Sequence, residues 1–306
     1  MNILVTGGAG FIGSHLCEYL VKEKHNVIVV DNLSSGYQSN ISNILGKIQF
    51  FENKVEEFNF DNLSEIDCVV HLSSQTSVPV SVKDFRKSSS SNILSSIKVI
   101  DFCSKQNIPL VFASSAATYG NLNIGDDSSN EHHLLSPYAV DKYSMELYAD
   151  MANKLYGLSN IGLRFFNVYG PRQDPKNSYS GVISIFCDLI LSNKSIIING
   201  GKQKRDFIYV NDVVHSIAKS IDKVISSKLS ETINILTGEL TSIDDIADIL
   251  IKLTGMPVEK VYKELPLGDP KGSPGTSFKM SEILDINQTS LTKIEKGLSA
   301  TINHLK

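Results

Sequence analysis

Met1-Asn2-Ile3-Leu4-Val5-Thr6-Gly7-Gly8-Ala9-Gly10-Phe11-Ile12-Gly13 is the stretch that decides the fold. It reads as a short buried strand followed by a glycine-rich turn. The amphipathic segment Ser14–Lys22 comes next, then a second apolar strand, Asn26–Val30, ending on Asp31. In a strand–turn–helix unit one glycine permits the tight turn, one lets the backbone approach a pyrophosphate, and one lets the helix pack on the sheet. The pyrophosphate then sits on free N–H groups at the helix N-terminus. A glycine pattern alone carries little weight, but here the strand, the helix and the acid at the end of the second strand are all in place, which points to a dinucleotide site. Asp31 points to NAD rather than NADP, because a carboxylate at that strand end accepts hydrogen bonds from a ribose and repels a 2′-phosphate. Asn32-Leu33-Ser34-Ser35-Gly36 adds no Arg or Lys to hold such a phosphate. The plainer alternative for Asp31 is a loop cap.

At 306 residues the chain is long enough for one large domain or two smaller ones. Lys and Arg number 29 against 33 Asp and Glu, a net charge of −4 without a block of one sign. That balance argues against a nucleic-acid or membrane-surface partner. No apolar run approaches a membrane span, and the N-terminus enters a strand with no signal peptide, so a cytoplasmic protein is expected. Cys17, Cys68, Cys103 and Cys187 are scattered and form no Cys-x-x-Cys pair, as expected of structural thiols in a reducing compartment.

Strand–helix alternation continues along the chain. Lys47–Phe51, Cys68–Leu72, Pro109–Ala113 and Ile161–Phe166 read as strands. Asn92–Lys105 and Ser136–Tyr156 read as helices, the second starting at Pro137. The short serine run Ser88–Ser91 suits a helix start or a solvated face. Repeated units of this kind predict an α/β fold with a doubly wound parallel sheet, whose ligands bind at the carboxyl ends of the strands. After Gly170 the texture changes to loops and shorter periodic segments. Ser242–Thr254 reads as a helix capped by Ser242, and Gly268–Gly275 as a loop. The expected division is a dinucleotide-binding domain over 1–170 and a smaller substrate domain over 171–306, part of which returns to the main sheet.

Tyr138 and Lys142 stand four apart on a predicted helix and share a face. A tyrosine is a poor base at neutral pH, and a nearby ammonium together with a cationic nicotinamide favours its phenolate. Ser114-Ser115 lies at the carboxyl end of the Pro109–Ala113 strand, where a substrate belongs. His132-His133 resembles no metal pair, because adjacent residues on an extended segment point apart; no metal is expected.

Seven ordered motifs together carry a resemblance. They are Gly7–Gly13, Asp31-Asn32-Leu33, His71-Leu72-Ser73-Ser74, Ser114-Ser115-Ala116-Ala117-Thr118-Tyr119-Gly120, Ser136-Pro137-Tyr138-x-x-x-Lys142, the Leu163–Arg172 stretch (LRFFNVYGPR) and the Arg205–Asp212 stretch (RDFIYVND). Over nearly its whole length the chain resembles the extended short-chain dehydrogenases/reductases that act on nucleotide sugars, the epimerase/dehydratase group. The resemblance implies a Rossmann-type fold with NAD as cofactor, held by Gly7, Gly10, Phe11, Ile12, Gly13, Asp31, Asn32, Leu72, Ser73, Tyr138, Lys142 and Phe165. It implies that Ser115 hydrogen-bonds the reacting sugar oxygen, that Tyr138 is the acid/base, and that Lys142 holds the nicotinamide ribose. A nucleotide-diphosphate sugar would meet Ser77, Ser115, Tyr138, Asn167, Arg205, Asp269 and Ser273. For Asn167 the alternative is a loop cap, and for Arg205 a surface ion pair.

Departures from the group's pattern narrow the reaction. Its 4,6-dehydratases carry an Asp-Glu pair after the catalytic Ser/Thr, and its decarboxylases usually keep an acid there; this chain has Ala116-Ala117, so both reactions fall in rank. Lys54 stands where relatives often place an adenine-binding Asp. Pro266 and Leu267 precede Gly268-Asp269, where a diphosphate-binding Arg is common, leaving Lys271 or Arg205 as candidates. The leading expectation is an NAD-dependent 4-epimerase working through a 4-keto sugar. The rivals are a nucleotide-sugar dehydrogenase/reductase or 2-epimerase on the same scaffold, and a non-catalytic NAD-binding protein. In hexose epimerases of the group, the residue five positions after the late loop glycine sits beside the sugar's C2 substituent. Here that is Ser273, small enough to admit an N-acetyl group. The group also implies a homodimer built as a four-helix bundle, with Tyr143, Leu147, Met151 and Leu155 as a stripe on one of the helices.

Overall fold

Nearly every strand residue near the N-terminus is both apolar and buried, which is the pattern of a sheet covered on its two faces. The computed structural model describes residues 1–63, 65–177, 181–265 and 272–306. In its first half, strands β1 (Asn2–Thr6), β2 (Asn26–Asp31), β3 (Ile48–Glu52), β4 (Cys68–His71), β5 (Leu110–Ser115) and β6 (Asn160–Phe165) alternate with helices α1 (Phe11–Lys22), α2 (Val78–Lys83), α3 (Phe85–Gln106) and α4 (Pro137–Tyr156). The second half adds β7 (Asn167–Tyr169), α5 (Val182–Leu191), β8 (Ile196–Asn199), β9 (Lys204–Tyr209), α6 (Val210–Ser226), β10 (Ser230–Ile235), β11 (Leu240–Ser242), α7 (Ile243–Thr254), β12 (Lys260–Lys263), β13 (Gly272–Ser273), α8 (Phe278–Leu284) and α9 (Ile294–Leu305).

The main sheet has seven parallel strands in the order β10-β6-β5-β4-β1-β2-β3. Side chains alternate between its faces. Ile3, Val5, Val27, Val29, Val70 and Val111 join one core with Leu16, Leu20, Ile217 and Ile221 of α1 and α6. Leu4, Ile28, Val30, Val69, Leu110 and Phe112 join the other with Val99, Phe102, Met145 and Ala149 of α3 and α4. Strand order reverses between β1 and β4, so a crevice opens at their carboxyl ends.

α3 begins at Phe85, seven residues before the expected Asn92, and takes in the serine run; Asp84 caps it by accepting from the Lys87 N–H at 3.1 Å. α7 starts where its cap predicts, with Ser242 and Asp245 in a reciprocal capping box. β10 comes from beyond residue 170 and pairs with β6 along its whole length. The remaining strands form a smaller layer: β7, β11 and β13 all pair with β9, and β8 pairs with β12. This layer packs with α5, α7 and α9 around Phe186, Ile190, Ile198, Ile246 and Leu298. The loop expected over Gly268–Gly275 needs correcting at one point. Gly272–Ser273 is a short strand parallel to Lys204–Arg205, its backbone pairing with β9, while 268–271 lies outside the described residues. Among the described residues no helix is long and apolar enough to cross a membrane.

Gly162 in β6 exposes how tightly the α3/α4 side is filled. A Cβ there would stand 2.6 Å from Cζ of Phe112, whose ring is fully enclosed by the core. Gly162→Ala is expected to cost about 1–3 kcal/mol by overpacking. Urea unfolding of the variant, and of Gly162→Ala with Phe112→Leu, checks this: the second substitution should restore part of the loss.

Candidate active site

The first turn is shaped by backbone contact. Gly7 adopts φ +75°, and a side chain on it would meet the Ser73 backbone at 2.8 Å. A Cβ on Gly13 would lie 2.1 Å from the Gly7 carbonyl oxygen, so α1 can start this close to β1 only without one. No side chain caps the N-terminus of α1, whose cap residue is Gly10. Its first N–H groups thus stand where an anionic diphosphate would complement them. At the end of β2 the Asp31 carboxylate accepts from Ala9 N–H at 2.9 Å and Leu33 N–H at 2.8 Å. Burial raises its pKa above the ordinary carboxylate value against the pull of those two bonds. The bonds fix the carboxylate beside the turn and leave lone pairs for a ribose.

These groups line a cavity of about 1110 Å³ at the carboxyl ends of the sheet strands. All twelve residues expected to hold the cofactor lie on its wall: Gly7, Gly10, Phe11, Ile12, Gly13, Asp31, Asn32, Leu72, Ser73, Tyr138, Lys142 and Phe165. Ser115 lies there too. A glycine cradle, an uncapped helix start and a ribose-facing carboxylate in one such cavity fit a dinucleotide in shape and charge.

Tyr138 and Lys142 come from the first turns of α4, which Ser136 caps by accepting from Ala139 N–H at 3.1 Å. The Tyr138 phenol lies near Ser115, and burial pushes its pKa up to about 12 against a smaller lowering by that neighbour. The Lys142 ammonium donates to the Ala113 carbonyl at 2.8 Å and lies 5.8 Å from the Tyr138 ring centre. Burial lowers its pKa to about 8, with Asp141 and Glu146 opposing the change. Lys142 therefore still carries its charge at neutral pH. Ser115 Oγ also accepts from Ala117 N–H at 3.1 Å, so the two alanines turn away directly after the hydroxyl.

The other expected substrate residues are placed differently. Ser77 is buried and caps α2, accepting from Val80 N–H at 3.3 Å, and is not among the residues lining the cavity. Asn167 donates to the Asp206 carbonyl at 2.9 Å; its neighbours Phe166 and Val168 line the cavity and it does not. Arg205 sits on β9 between Thr241 of β11 and Ser273 of β13, away from the cavity wall. Among the described residues the buried Ser273 hydroxyl has no hydrogen-bond partner. Asp269 lies outside the described residues.

Sequence reasoning missed several wall residues, among them Gln75, Thr76, Val80 and Gln173. Gln75 belongs to a polar cluster invisible in local pattern: Asn92 accepts from Gln75 N–H at 2.7 Å and donates to Asp141 at 3.0 Å. Lys54, the departure noted after the third strand, also lines the cavity.

Residues 3–235 match the model of the NAD dependent epimerase/dehydratase family. A putative UDP-glucose 4-epimerase of Methanocaldococcus jannaschii is 40% identical over 267 residues, covering 85% of each chain. The UDP-glucose 4-epimerase of Thermotoga maritima, solved with UDP-glucose, superposes with a TM-score of 0.92 at 34% identity, covering 100% of this chain and 98% of that one. A UDP-N-acetylglucosamine 4-epimerase from Methanobrevibacter ruminantium, in complex with UDP-N-acetylmuramic acid, gives 0.93 at 32% identity over 99% and 97% of the two chains. With its fold, its dinucleotide cradle and these likenesses together, the chain belongs to the NAD dependent epimerase/dehydratase family, and its cofactor is NAD.

Proposed function

We propose that this chain inverts C4 of a UDP-linked sugar, with an N-acetylhexosamine favoured over a plain hexose. The observation that carries this reading is the meeting of Ser115, Tyr138 and Lys142 on one wall of the dinucleotide cavity, followed by two alanines that cannot move a proton. NAD, when bound, supplies a hydride acceptor for C4 and a positive ring that favours the Tyr138 phenolate. Tyr138 takes the proton of the 4-hydroxyl as C4 becomes a carbonyl, and returns it when hydride comes back to the opposite face. The Ser115 hydroxyl, beside the phenol, holds the same sugar oxygen. The Lys142 ammonium lowers the cost of a phenolate in this buried site. Without an acid and base at 116 and 117, elimination of water across C5 and C6 has no proton path, and the 4-keto sugar is left to rotate.

The substrate preference rests on the small Ser273 at the expected gate position, which is not itself among the residues lining the cavity. Ser273 stands beside Arg205 in the β9–β13 pairing, and its buried hydroxyl is the kind of unsatisfied group that a ligand completes. Arg205, whose Nη1 donates to the Lys204 carbonyl at 2.9 Å, is the proposed diphosphate contact. A homodimer is part of the same proposal. Helices α3 and α4 pack side by side and leave Leu94, Val140, Leu147, Tyr148 and Leu155 exposed, and the helices of a second copy would cover that face. Of the expected stripe Leu147 and Leu155 are exposed, while Met151 and Tyr143 are half-buried, the Tyr143 ring packing on His132 at 4.1 Å between centres.

Incubation with UDP-, GDP-, CDP- and dTDP-sugars followed by NMR of the products tests the activity. C4 epimers should form with no absorbance change in the reduced-nicotinamide band; a stoichiometric change would instead mark a dehydrogenase or reductase. Tyr138→Phe should keep the fold and NAD binding while kcat falls about a hundredfold to ten-thousandfold. Near-native turnover in that variant would remove Tyr138 from the role of base. Ser273→Tyr should suppress turnover of the N-acetylated sugar and spare the plain hexose; equal loss on both, or no response, would mean that position 273 is not the gate. Light scattering at micromolar concentration should return twice the 33.6 kDa chain mass.

A further inference from the structure

Three side chains on one face of α4 meet three consecutive residues at the end of β5. Lys142 donates to the Ala113 carbonyl, Tyr138 lies near Ser115, and between them the Ser114 hydroxyl donates to the Glu146 carboxylate. Arg164 of β6, directly opposite Ser114 in the β5–β6 pairing, grips that carboxylate with two bonds, Nε to Oε1 at 2.9 Å and Nη2 to Oε2 at 2.6 Å. The two side chains are only 4% and 6% exposed. Arg164 continues to the Tyr119 hydroxyl at 2.7 Å, and Tyr119 donates to Asn234 of β10 at 2.8 Å. A buried ion pair of this kind contributes little net stability relative to apolar residues of the same volume. Its presence one residue away from Ser115 and one helical turn beyond Lys142 therefore calls for another account.

We infer that Glu146 is a positioning residue for the reaction: clamped by Arg164, it ties Ser114 to α4, fixes Ser115 against Tyr138, and sustains the Lys142 ammonium by its negative charge. This rests on reading Ser115, Tyr138 and Lys142 as the catalytic set. The charged and titratable groups acting on Lys142 are few. Asp141 and Glu146 come from its own helix, and the Tyr138 ring lies beside it. From β4 it meets His71, which burial holds neutral with a pKa near 3. Asp141 is also engaged by Asn92, while Glu146 is held by Ser114 and Arg164. Glu146 thus acts on geometry and on charge through one carboxylate.

The test uses the NAD-bound protein with Glu146→Gln, and with Glu146→Gln combined with Arg164→Met so that no guanidinium is left buried without a partner. Lys142 is titrated by ¹³Cε NMR of lysine-labelled protein, its signal assigned by its absence in Lys142→Met. Its midpoint should fall in Glu146→Gln, because losing a neighbouring anion favours the neutral amine, and by less in the double variant, which also loses the Arg164 cation. In steady state kcat should fall about ten- to hundredfold with KM within about twofold, as expected when reacting groups are misplaced but binding is intact. A native Lys142 midpoint in folded Glu146→Gln, or a native kcat in either folded variant, overturns the proposal. If the native protein turns over no nucleotide sugar, the epimerase reading fails, and the Lys142 midpoint alone decides the role of Glu146.

Discussion

The approach of α1 to the end of β1, possible because Gly13 leaves the Gly7 carbonyl room, is the constraint on which the rest of the molecule is built. It brings the uncapped start of α1 to the cavity. The same helix also anchors the crossing into the second lobe. His15 bonds the Pro171 carbonyl at 3.0 Å, and Glu18 receives Arg172 at 2.6 Å. Arg172 adopts a left-handed φ of +67°, a conformation that costs a non-glycine residue energy unless its surroundings hold it there. A displaced α1 would thus disturb the diphosphate position and the entry to the substrate lobe together.

Burial governs the chemistry at the other end of the cavity. It disfavours the charged form of both Tyr138 and Lys142, leaving the phenol near 12 and the amine near 8. The two effects are unequal in consequence at neutral pH: the amine stays protonated, whereas the phenol stays neutral until another positive charge arrives. In the proposed mechanism the Tyr138 phenol therefore becomes a base only when the cofactor adds its positive charge, a consequence of desolvation. The Ser115 contact works in the opposite direction, stabilising the phenolate, but it is smaller than the burial effect.

Legibility in the sequence followed the length over which a physical pattern repeats. The cofactor wall was readable because its residues are local to strand ends, and because a parallel sheet forces all its strand ends to one side. Ser77, Asn167 and Arg205 were harder for a specific reason. A motif names a residue but does not say which face of a short strand it takes. Phe166 and Val168 reach the cavity, while Asn167 between them bonds the Asp206 carbonyl instead. Strands of three and two residues, such as β11 and β13, carry no period to detect. The β13 pairing depends on β9, which lies far upstream in the chain. α6 is the contrary case: Val210, Val213, Val214, Ile217, Ile221 and Val224 are buried at helical spacing over 17 residues, a signal present in the sequence that strand-based reading passed over.

The polar interior also explains how the two lobes keep one geometry. Asn234 at the end of β10 accepts from Tyr119 and donates to the carbonyls of Gly125 and Thr276 at 3.0 and 3.1 Å. Gly125 in turn receives Thr276 N–H and donates to Pro274, so the segment after β13 is tied by backbone to the loop that follows Tyr119. A chain of contacts therefore runs from Ser114, through Glu146, Arg164, Tyr119 and Asn234, to the residues beside Ser273. Glu146, Arg164, Tyr119 and Asn234 are each held by two or more partners, which is the condition under which a buried polar network rigidifies rather than weakens a core. Ser115 and the proposed sugar gate Ser273 are far apart in sequence, yet this network links Ser114, next to the one, with Pro274, next to the other.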